Sequence, residues 1–243
     1  DKFVYSASHD LRAPLSSGLG LVNIARMDNA SEQKNNYLDI MEKSIKKLDS
    51  FIKDIIDYSR NARVEVSKDE IPFEKLIREV LGDLEYLDES KRILRMVTVN
   101  GQGVFYSDSK RLKIILSNVI SNAIKYHNLL KEHPFIEVRV EHDDQKAVIR
   151  VIDNGSGIAA EHIDHIFEMF YRATENNKGS GLGLYIVKET IEKIRGTITV
   201  QSELDAGTTF EITIPSLKPK GLIKRYDALL STDKQSLATE KLN

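Results

Sequence analysis

The strongest constraint on what this chain can fold into is a break in its apolar rhythm. Val4, Ser8, Leu11, Leu15, Gly18, Val22 and Ala25 recur at alternating spacings of four and three, and Leu38, Met41, Ile45, Leu48, Ile52, Ile55 and Ser59 repeat the pattern. That is the seam of helices that pack in coiled-coil fashion. Between the two runs, Asp28-Asn29-Ala30-Ser31-Glu32 interrupts the pattern and offers an N-cap to the second helix. A hairpin with so few aromatic residues cannot bury a stable core alone. Two hairpins packed into an antiparallel four-helix bundle solve the problem, so a homodimer is expected.

From about residue 71 the rhythm is different. Ile71–Leu87 holds a helical pattern opened by Pro72, Arg95–Asn100 suits a short strand, and Lys110–Tyr126 is strongly helical. Strand patterns follow at Ile136–Glu141, Ala147–Ile152, Thr197–Ser202 and Thr208–Ile214, with a helix at Gly181–Ile194 between the second and third. Helices gathered on one face of a mixed sheet make an α+β sandwich. The expected organisation is an all-α hairpin over 1–66, an α+β domain over 67–217, and a linker or loosely attached helix over 218–243.

Composition narrows the chemistry. The 243 residues contain no cysteine, which excludes disulfides, thiolate catalysis and cysteine-ligated metal and fits a reducing cytoplasm. A net charge of −2 and a pI near 6.4 suggest neither nucleic acid nor an anionic membrane as partner. No apolar run approaches the roughly 18 residues that span a bilayer. The chain starts at Asp1 already in helical pattern, which reads as a fragment of a longer protein, possessing either a membrane or a soluble sensor.

Four motifs carry candidate chemistry. In Ser8-His9-Asp10-Leu11-Arg12-Ala13-Pro14, His9 sits one residue past the seam, so its imidazole faces partly towards solvent and is a competent nucleophile near neutral pH. Asp10 can orient that ring or take its proton, and Pro14 frees the carbonyl of Asp10 and kinks the helix. In Asn118–Tyr126, Asn118, Asn122 and Lys125 share a helix face at i, i+4 and i+7. Amide oxygens can ligate Mg²⁺, and an ammonium can meet phosphate. Each motif alone has an ordinary reading: a surface histidine, or a polar helix face.

The third motif, Val151-Ile152-Asp153-Asn154-Gly155-Ser156-Gly157-Ile158, ends an apolar strand in a carboxylate and two glycines. Such a carboxylate can accept a hydrogen bond from an adenine amino group, although Asp-Asn-Gly is also a common turn. The fourth, Lys178-Gly179-Ser180-Gly181-Leu182-Gly183-Leu184, opens a helix after a polar stretch, a phosphate cradle or simply a hinge. It is neither a Rossmann fingerprint nor a Walker A loop, since it follows a loop and lacks Gly-Lys-Ser/Thr. Between them, Ile166–Arg172 forms an apolar and aromatic cluster expected to pack as core and anchor a lid at Ala173–Asn177. Arg172 is a phosphate contact or an ordinary surface arginine.

In their order along the chain these segments resemble the sensor histidine kinases: an H-box around His9, an N-box at Asn118–Tyr126, a G1 box at Asp153–Gly157, an F-box at Ile166–Arg172 and a G2 box at Gly179–Gly183. The resemblance covers roughly residues 3–215 and implies a dimerisation and phosphotransfer bundle followed by a GHKL-type (Bergerat) ATP-binding sandwich. It further implies that His9 is the phosphoacceptor with Asp10 as acidic helper. Asn122, assisted by Asn118, would ligate Mg²⁺, and Lys125 and Tyr126 would line the nucleotide. Asp153 would read adenine in a pocket shaped by Gly155 and Gly157. Gly179, Ser180, Gly181, Leu182 and Gly183 would hold the ATP phosphates, with Arg172 nearby. The implied partner is the receiver domain of a response regulator, whose aspartate takes the phosphoryl group.

One position departs from the pattern. Many members with phosphatase activity carry Thr or Asn four residues after the histidine, and here Ala13 has no polar side-chain atom, so weak or absent phosphatase activity is expected. Two rival readings are a clamp-type GHKL ATPase, which has no need of an exposed histidine on a dimerising hairpin, and a degenerate dimeric scaffold, against which Asn122, Asp153 and the G2 glycines stand.

Overall fold

A computed structural model describes residues 11, 14–22, 24–25, 34–87, 92–128, 130–173 and 180–218. The elements are, in chain order, α1 (Lys34–Arg63), β1 (Asp69–Glu70), α2 (Phe73–Asp83), a 3₁₀ turn (Glu85–Leu87), β2 (Leu94–Gly101), β3 (Tyr106–Ser107) and α3 (Ser109–Lys125). They continue with β4 (Phe135–His142), β5 (Lys146–Asp153), α4 (Ala160–Ile163), α5 (Gly183–Lys193), β6 (Thr197–Glu203) and β7 (Gly207–Pro215). Residues 14–22 are also helical. The chain divides into two units: residues up to Val64 with Glu161–Glu189, and Glu65–Ala160 with the residues from Thr190 onward.

The second unit is built on a five-stranded mixed sheet of order β2-β4-β5-β7-β6. β2 and β4 run parallel, while β4–β5, β5–β7 and β6–β7 are antiparallel. Period-two alternation decides its faces. Ile136, Val138 and Val140, then Ala147, Ile149 and Val151, then Phe210, Ile212 and Ile214 are buried on one side. The other side is laced by ion pairs: Arg139 to Glu137, and Arg150 to Glu211 at 2.6 Å and to Glu141 at 3.3 Å. One wet face and one dry face is what an α+β sandwich requires.

Two helices supply much of the dry layer. Pro72 is the N-cap of α2, whose Phe73, Leu76, Ile77, Val80 and Leu81 are buried at helical spacing. Asp108 caps α3, its Oδ1 accepting from the Arg111 amide at 2.9 Å. Leu112, Ile115, Leu116, Val119, Ile120, Ala123 and Ile124 of α3 are buried. Asparagine lowers helix propensity by a few tenths of a kcal/mol, whereas each large buried aliphatic side chain contributes roughly 1.5–3 kcal/mol. Packing therefore tolerates Asn118 and Asn122 on the opposite face.

In the first unit, α1 splits its seam in two. Leu38, Ile45 and Ile52 are 60%, 65% and 43% exposed, while Met41, Leu48, Ile55 and Ser59 are half-buried. The exposed three are spaced by seven residues and form one uncovered apolar stripe. Among the described residues no helix is long and apolar enough to cross a membrane.

Four details differ from the sequence reading. α5 begins at Gly183 rather than Gly181, because Gly181 is left-handed with φ +73°. The β1–β3 pair and α4 are too short for any period to register. The cluster Ile166, Phe167, Met169, Phe170 and Tyr171 is half-buried rather than core, since it lies in a run of turns with no repeating face to bury. Residues 174–177 of the expected lid, like Val4, Ser8 and the tail from 219, lie outside the described residues.

Candidate functional site

In the second unit the polar face of α3 meets the end of β5. Asn118 Nδ2 donates to the Ile114 carbonyl at 3.0 Å, which leaves its amide oxygen as the atom to offer a ligand. Asn122 is half-buried and Lys125 exposed. Tyr126 closes the helix, its N–H donating to the Asn122 carbonyl at 2.9 Å. The Tyr126 carbonyl in turn accepts from the Ser156 amide at 2.9 Å, so the helix end and the glycine loop are joined backbone to backbone. At Gly155 a Cβ would come within 2.5 Å of that carbonyl, which only glycine avoids.

Asp153 is the last residue of β5, paired with Ile136 on one side and Thr208 on the other. Its Oδ1 accepts from the Gly155 amide at 2.8 Å. Burial pushes its carboxyl up, against the amides of Gly155 and Thr208 and the charge of Lys131, which pull it down. Gly157 has φ +67°, and a Cβ there would lie 1.9 Å from the Glu203 carbonyl. Asp153 is also one wall of a small cavity of about 360 Å³ shared with Ser202, Ala206, Gly207 and Thr208.

The β6–β7 turn was not anticipated from the sequence. The Ile158 amide donates to Ser202 Oγ at 2.8 Å, Ser202 Oγ donates to the Gly207 carbonyl at 2.8 Å, and the Asp205 amide donates to the Ser156 carbonyl at 2.7 Å. Asn154 spans His133 and Phe135, its Nδ2 donating to one carbonyl and its Oδ1 accepting from the other amide, both at 2.8 Å. A Cβ at Gly207 would sit 2.1 Å from the Asp153 carbonyl. The Gly207-Thr208 pair at a strand start was the available signal.

In the first unit the described part of the second glycine segment is held at Ser180 and Gly181. Ser180 Oγ accepts from the Leu182 amide at 3.1 Å and donates to Asp54 Oδ2 at 2.6 Å. Gly181 passes within 2.7 Å, measured from an added Cβ, of the Phe170 backbone, and its carbonyl accepts from the Phe170 amide at 3.0 Å. Leu182 is fully buried and Gly183 starts α5. The Tyr58 and Tyr185 rings lie 5.9 Å apart. His162 Nδ1 meets the Tyr171 hydroxyl at 2.8 Å, and Arg172 is half-buried.

Asn118, Asn122, Lys125, Tyr126, Asp153, Gly155 and Gly157 thus belong to one unit, and Arg172, Ser180, Gly181, Leu182 and Gly183 to the other. His9, Asp10, Ala13 and Gly179 lie outside the described residues. Among the described residues no group of three or more His, Cys, Asp or Glu could hold a metal ion. A larger cleft of about 840 Å³, lined by Ile71, Phe73, Phe105 and His142 among others, contains none of these residues.

Two family models match this chain. Residues 1–63 match the His Kinase A (phospho-acceptor) domain, and residues 107–218 match the Histidine kinase-, DNA gyrase B-, and HSP90-like ATPase. The chain belongs to the sensor histidine kinases. The methanogenesis regulatory histidine kinase FilI of Methanothrix harundinacea (strain 6Ac) is 32% identical over 219 residues, 89% of this chain and 24% of that protein. The autoinducer 2 sensor kinase/phosphatase LuxQ of Vibrio parahaemolyticus is 28% identical over 88% of this chain and 26% of that protein. This chain therefore spans about a quarter of the length of these curated relatives. Full-length ShkA in complex with AMPPNP superposes with TM-score 0.64 at 25% identity, over 90% of this chain and 46% of that one. Histidine kinase ThkA in complex with response regulator TrrA shares the fold, with TM-score 0.68 at 22% identity over 89% and 61% of the two chains.

Proposed function

We propose that this chain is the catalytic core of a sensor histidine kinase. It binds ATP, phosphorylates its own His9 and passes the phosphoryl group to an aspartate of a response-regulator receiver domain. The observation that carries the reading is the joint between α3 and the glycine loop. It sets an amide-bearing helix face beside a carboxylate whose backbone neighbours are pulled close by Gly155. In this reading residues 1–66 are the dimerisation and phosphotransfer hairpin, 67–217 the ATP-binding domain and 218–243 a C-terminal tail or linker. The uncovered stripe of Leu38, Ile45 and Ile52 supports a homodimer, in which two such stripes bury one another.

Asp153 accepts a hydrogen bond from the exocyclic amine of adenine, and Gly155 and Gly157 let the base approach the backbone. Lys125 and Tyr126 line the nucleotide, the segment from Gly179 to Gly183 holds phosphates, and Arg172 is a further phosphate-contact candidate. The donor set fits Mg²⁺: Asn118 spends its Nδ2 on the Ile114 carbonyl, so the face of α3 offers amide oxygens as ligands. That suits an ion which keeps water and phosphate as most of its ligands. Asn122, with Asn118, would hold it, and it would neutralise phosphate charge. A ring nitrogen of His9 attacks the γ-phosphorus, an N–P bond forms, the bond to the β-phosphate oxygen breaks, and Asp10 takes the ring proton. AMPPNP in ShkA and TrrA beside ThkA support the nucleotide and the receiver partner, respectively.

The test is incubation with Mg²⁺ and γ-labelled ATP beside His9→Gln. Label that is lost in acid, survives alkali and is missing from the variant is the expected result. Hydrolysis without labelling would point to a clamp ATPase, and nucleotide binding with neither would point to a scaffold.

A further inference from the structure

We infer that Lys131 is a positioning residue of the base site, which ties the two backbone walls around Asp153 together and sets which purine that carboxylate accepts. The inference rests on the reading that Asp153 receives adenine. Lys131 Nζ donates to the Ala206 carbonyl at 3.1 Å and to the Gly155 carbonyl at 3.5 Å. It comes from the loop that follows α3, so one ammonium connects the helix bearing Asn118 and Asn122, the glycine loop and the β6–β7 turn.

The other ties between loop and turn act downstream. Asp205 holds Ser156, and Ser202 holds Ile158. Gly155 is buried, its amide donates to Asp153, and its carbonyl accepts from Lys131 at 3.5 Å. A buried acceptor left without a partner is costly, and the loop would shift to hydrate it. Any such shift carries the Asp153 carboxylate with it, because the Gly155 amide is its hydrogen-bond donor.

The charge has a second consequence. An ionised carboxylate only accepts hydrogen bonds, which matches the amine of adenine, whereas a protonated one can donate to the carbonyl of guanine. Lys131 favours the ionised form in a site where burial opposes it. The remaining groups set on this carboxylate are the amides of Gly155 and Thr208. Glu203 and Asp205 on the turn, and Lys125, Tyr126, His127, Glu132 and His133 on the end of α3 and the loop after it, are the other titratable groups on the adjoining segments.

The experiment compares Lys131→Met, Lys131→Arg and Asp153→Asn in the full chain. It reads autophosphorylation kinetics, the pH dependence of binding a fluorescent ATP analogue, and competition by GTP. Lys131→Met is expected to raise the KM for ATP about tenfold with kcat at saturation held, the change for one lost charged hydrogen bond. It also moves the acid limb of binding to higher pH and lets GTP compete better, and Lys131→Arg restores all three. Unchanged KM and acid limb in Lys131→Met, with binding abolished in Asp153→Asn, would overturn the role of Lys131 and leave the base site standing. A raised KM that Arg does not restore, with the acid limb unmoved, would also overturn it. ATP binding intact in Asp153→Asn would remove the base-site reading itself.

Discussion

The hydroxyl of Ser180 donates to Oδ2 of Asp54 at 2.6 Å, a bond between α1 and the second glycine segment that closes 126 residues of chain. The same hydroxyl caps α5 by accepting from Leu182. A serine engaged in this way is not free to turn towards phosphate, and the segment it belongs to is held to α1. Asp54→Ala should release it and raise the initial rate of autophosphorylation by about threefold to tenfold, the range for a partly exposed hydrogen bond to a charged group. A rate equal to wild type in a label-incorporation assay would show that the bond does not restrain the segment.

Asp153 is expected to trade stability for recognition. Its folded pKa is raised by burial, so the folded state binds more protons than the unfolded state as pH falls towards that pKa. Stability contributed here therefore rises as pH drops through the raised value and is lost above it. Asp153→Asn removes the buried charge and keeps an oxygen for the Gly155 amide. Calorimetry without nucleotide should show a higher Tm, by about 2–4 °C for each kcal/mol in a chain of this size. Nucleotide affinity should nevertheless fall sharply.

Asp108 has the opposite sign. Burial pushes its carboxyl up, but the amides of Arg111 and Ser67 and the Arg111 guanidinium together bring it below the usual carboxylate range. Its contribution is present above the unfolded pKa and is lost as pH falls through the folded one. Asp108→Ala removes the carboxylate that neutralises Arg111, only 4% exposed, and leaves its Nη1 bond to the Glu65 carbonyl. Urea unfolding at neutral pH should register a loss of about 3–5 kcal/mol, the usual penalty for stranding one member of a buried ion pair. The gap to wild type should narrow in acid.

Ala13 predicts a one-sided enzyme. Dephosphorylation of the phosphorylated receiver should be weak in the wild type. Ala13→Thr, which supplies a hydroxyl able to orient water, should raise it by about tenfold or more. Release of phosphate from a pre-phosphorylated regulator measures both, and robust activity in the wild type would contradict the expectation.

Long periodic segments were legible before any coordinates. β4, β5, β6 and β7 each extend the sequence reading by one residue at one or both ends, and α3 starts and ends one residue before its reading, because seven or more residues of one period leave little ambiguity. The seam of α1 was equally plain, though not that Leu38, Ile45 and Ile52 lie uncovered while Met41 and Leu48 are half-buried. The glycine positions were visible as glycines, but their reasons were not. Gly155 is required by the Tyr126 carbonyl and Gly157 by that of Glu203, residues 29 and 46 positions away in the sequence.

What the amino-acid order determined by itself is the set of described elements and the chemistry each brings: amides on one face of α3, a carboxylate at a strand end, glycines before α5. These depend on local backbone preference and on periodic burial, both of which are written in short windows of sequence. The tertiary structure alone decided which backbones meet. Sheet order puts β7 beside β5, which brings Thr208 opposite Asp153 and the β6–β7 turn against the glycine loop. Lys131 and Ser202 gain their roles only from that closure, and Asp54 gains its own from the approach of Ser180 to α1, since a hydrogen bond between distant segments leaves no period in the sequence to read.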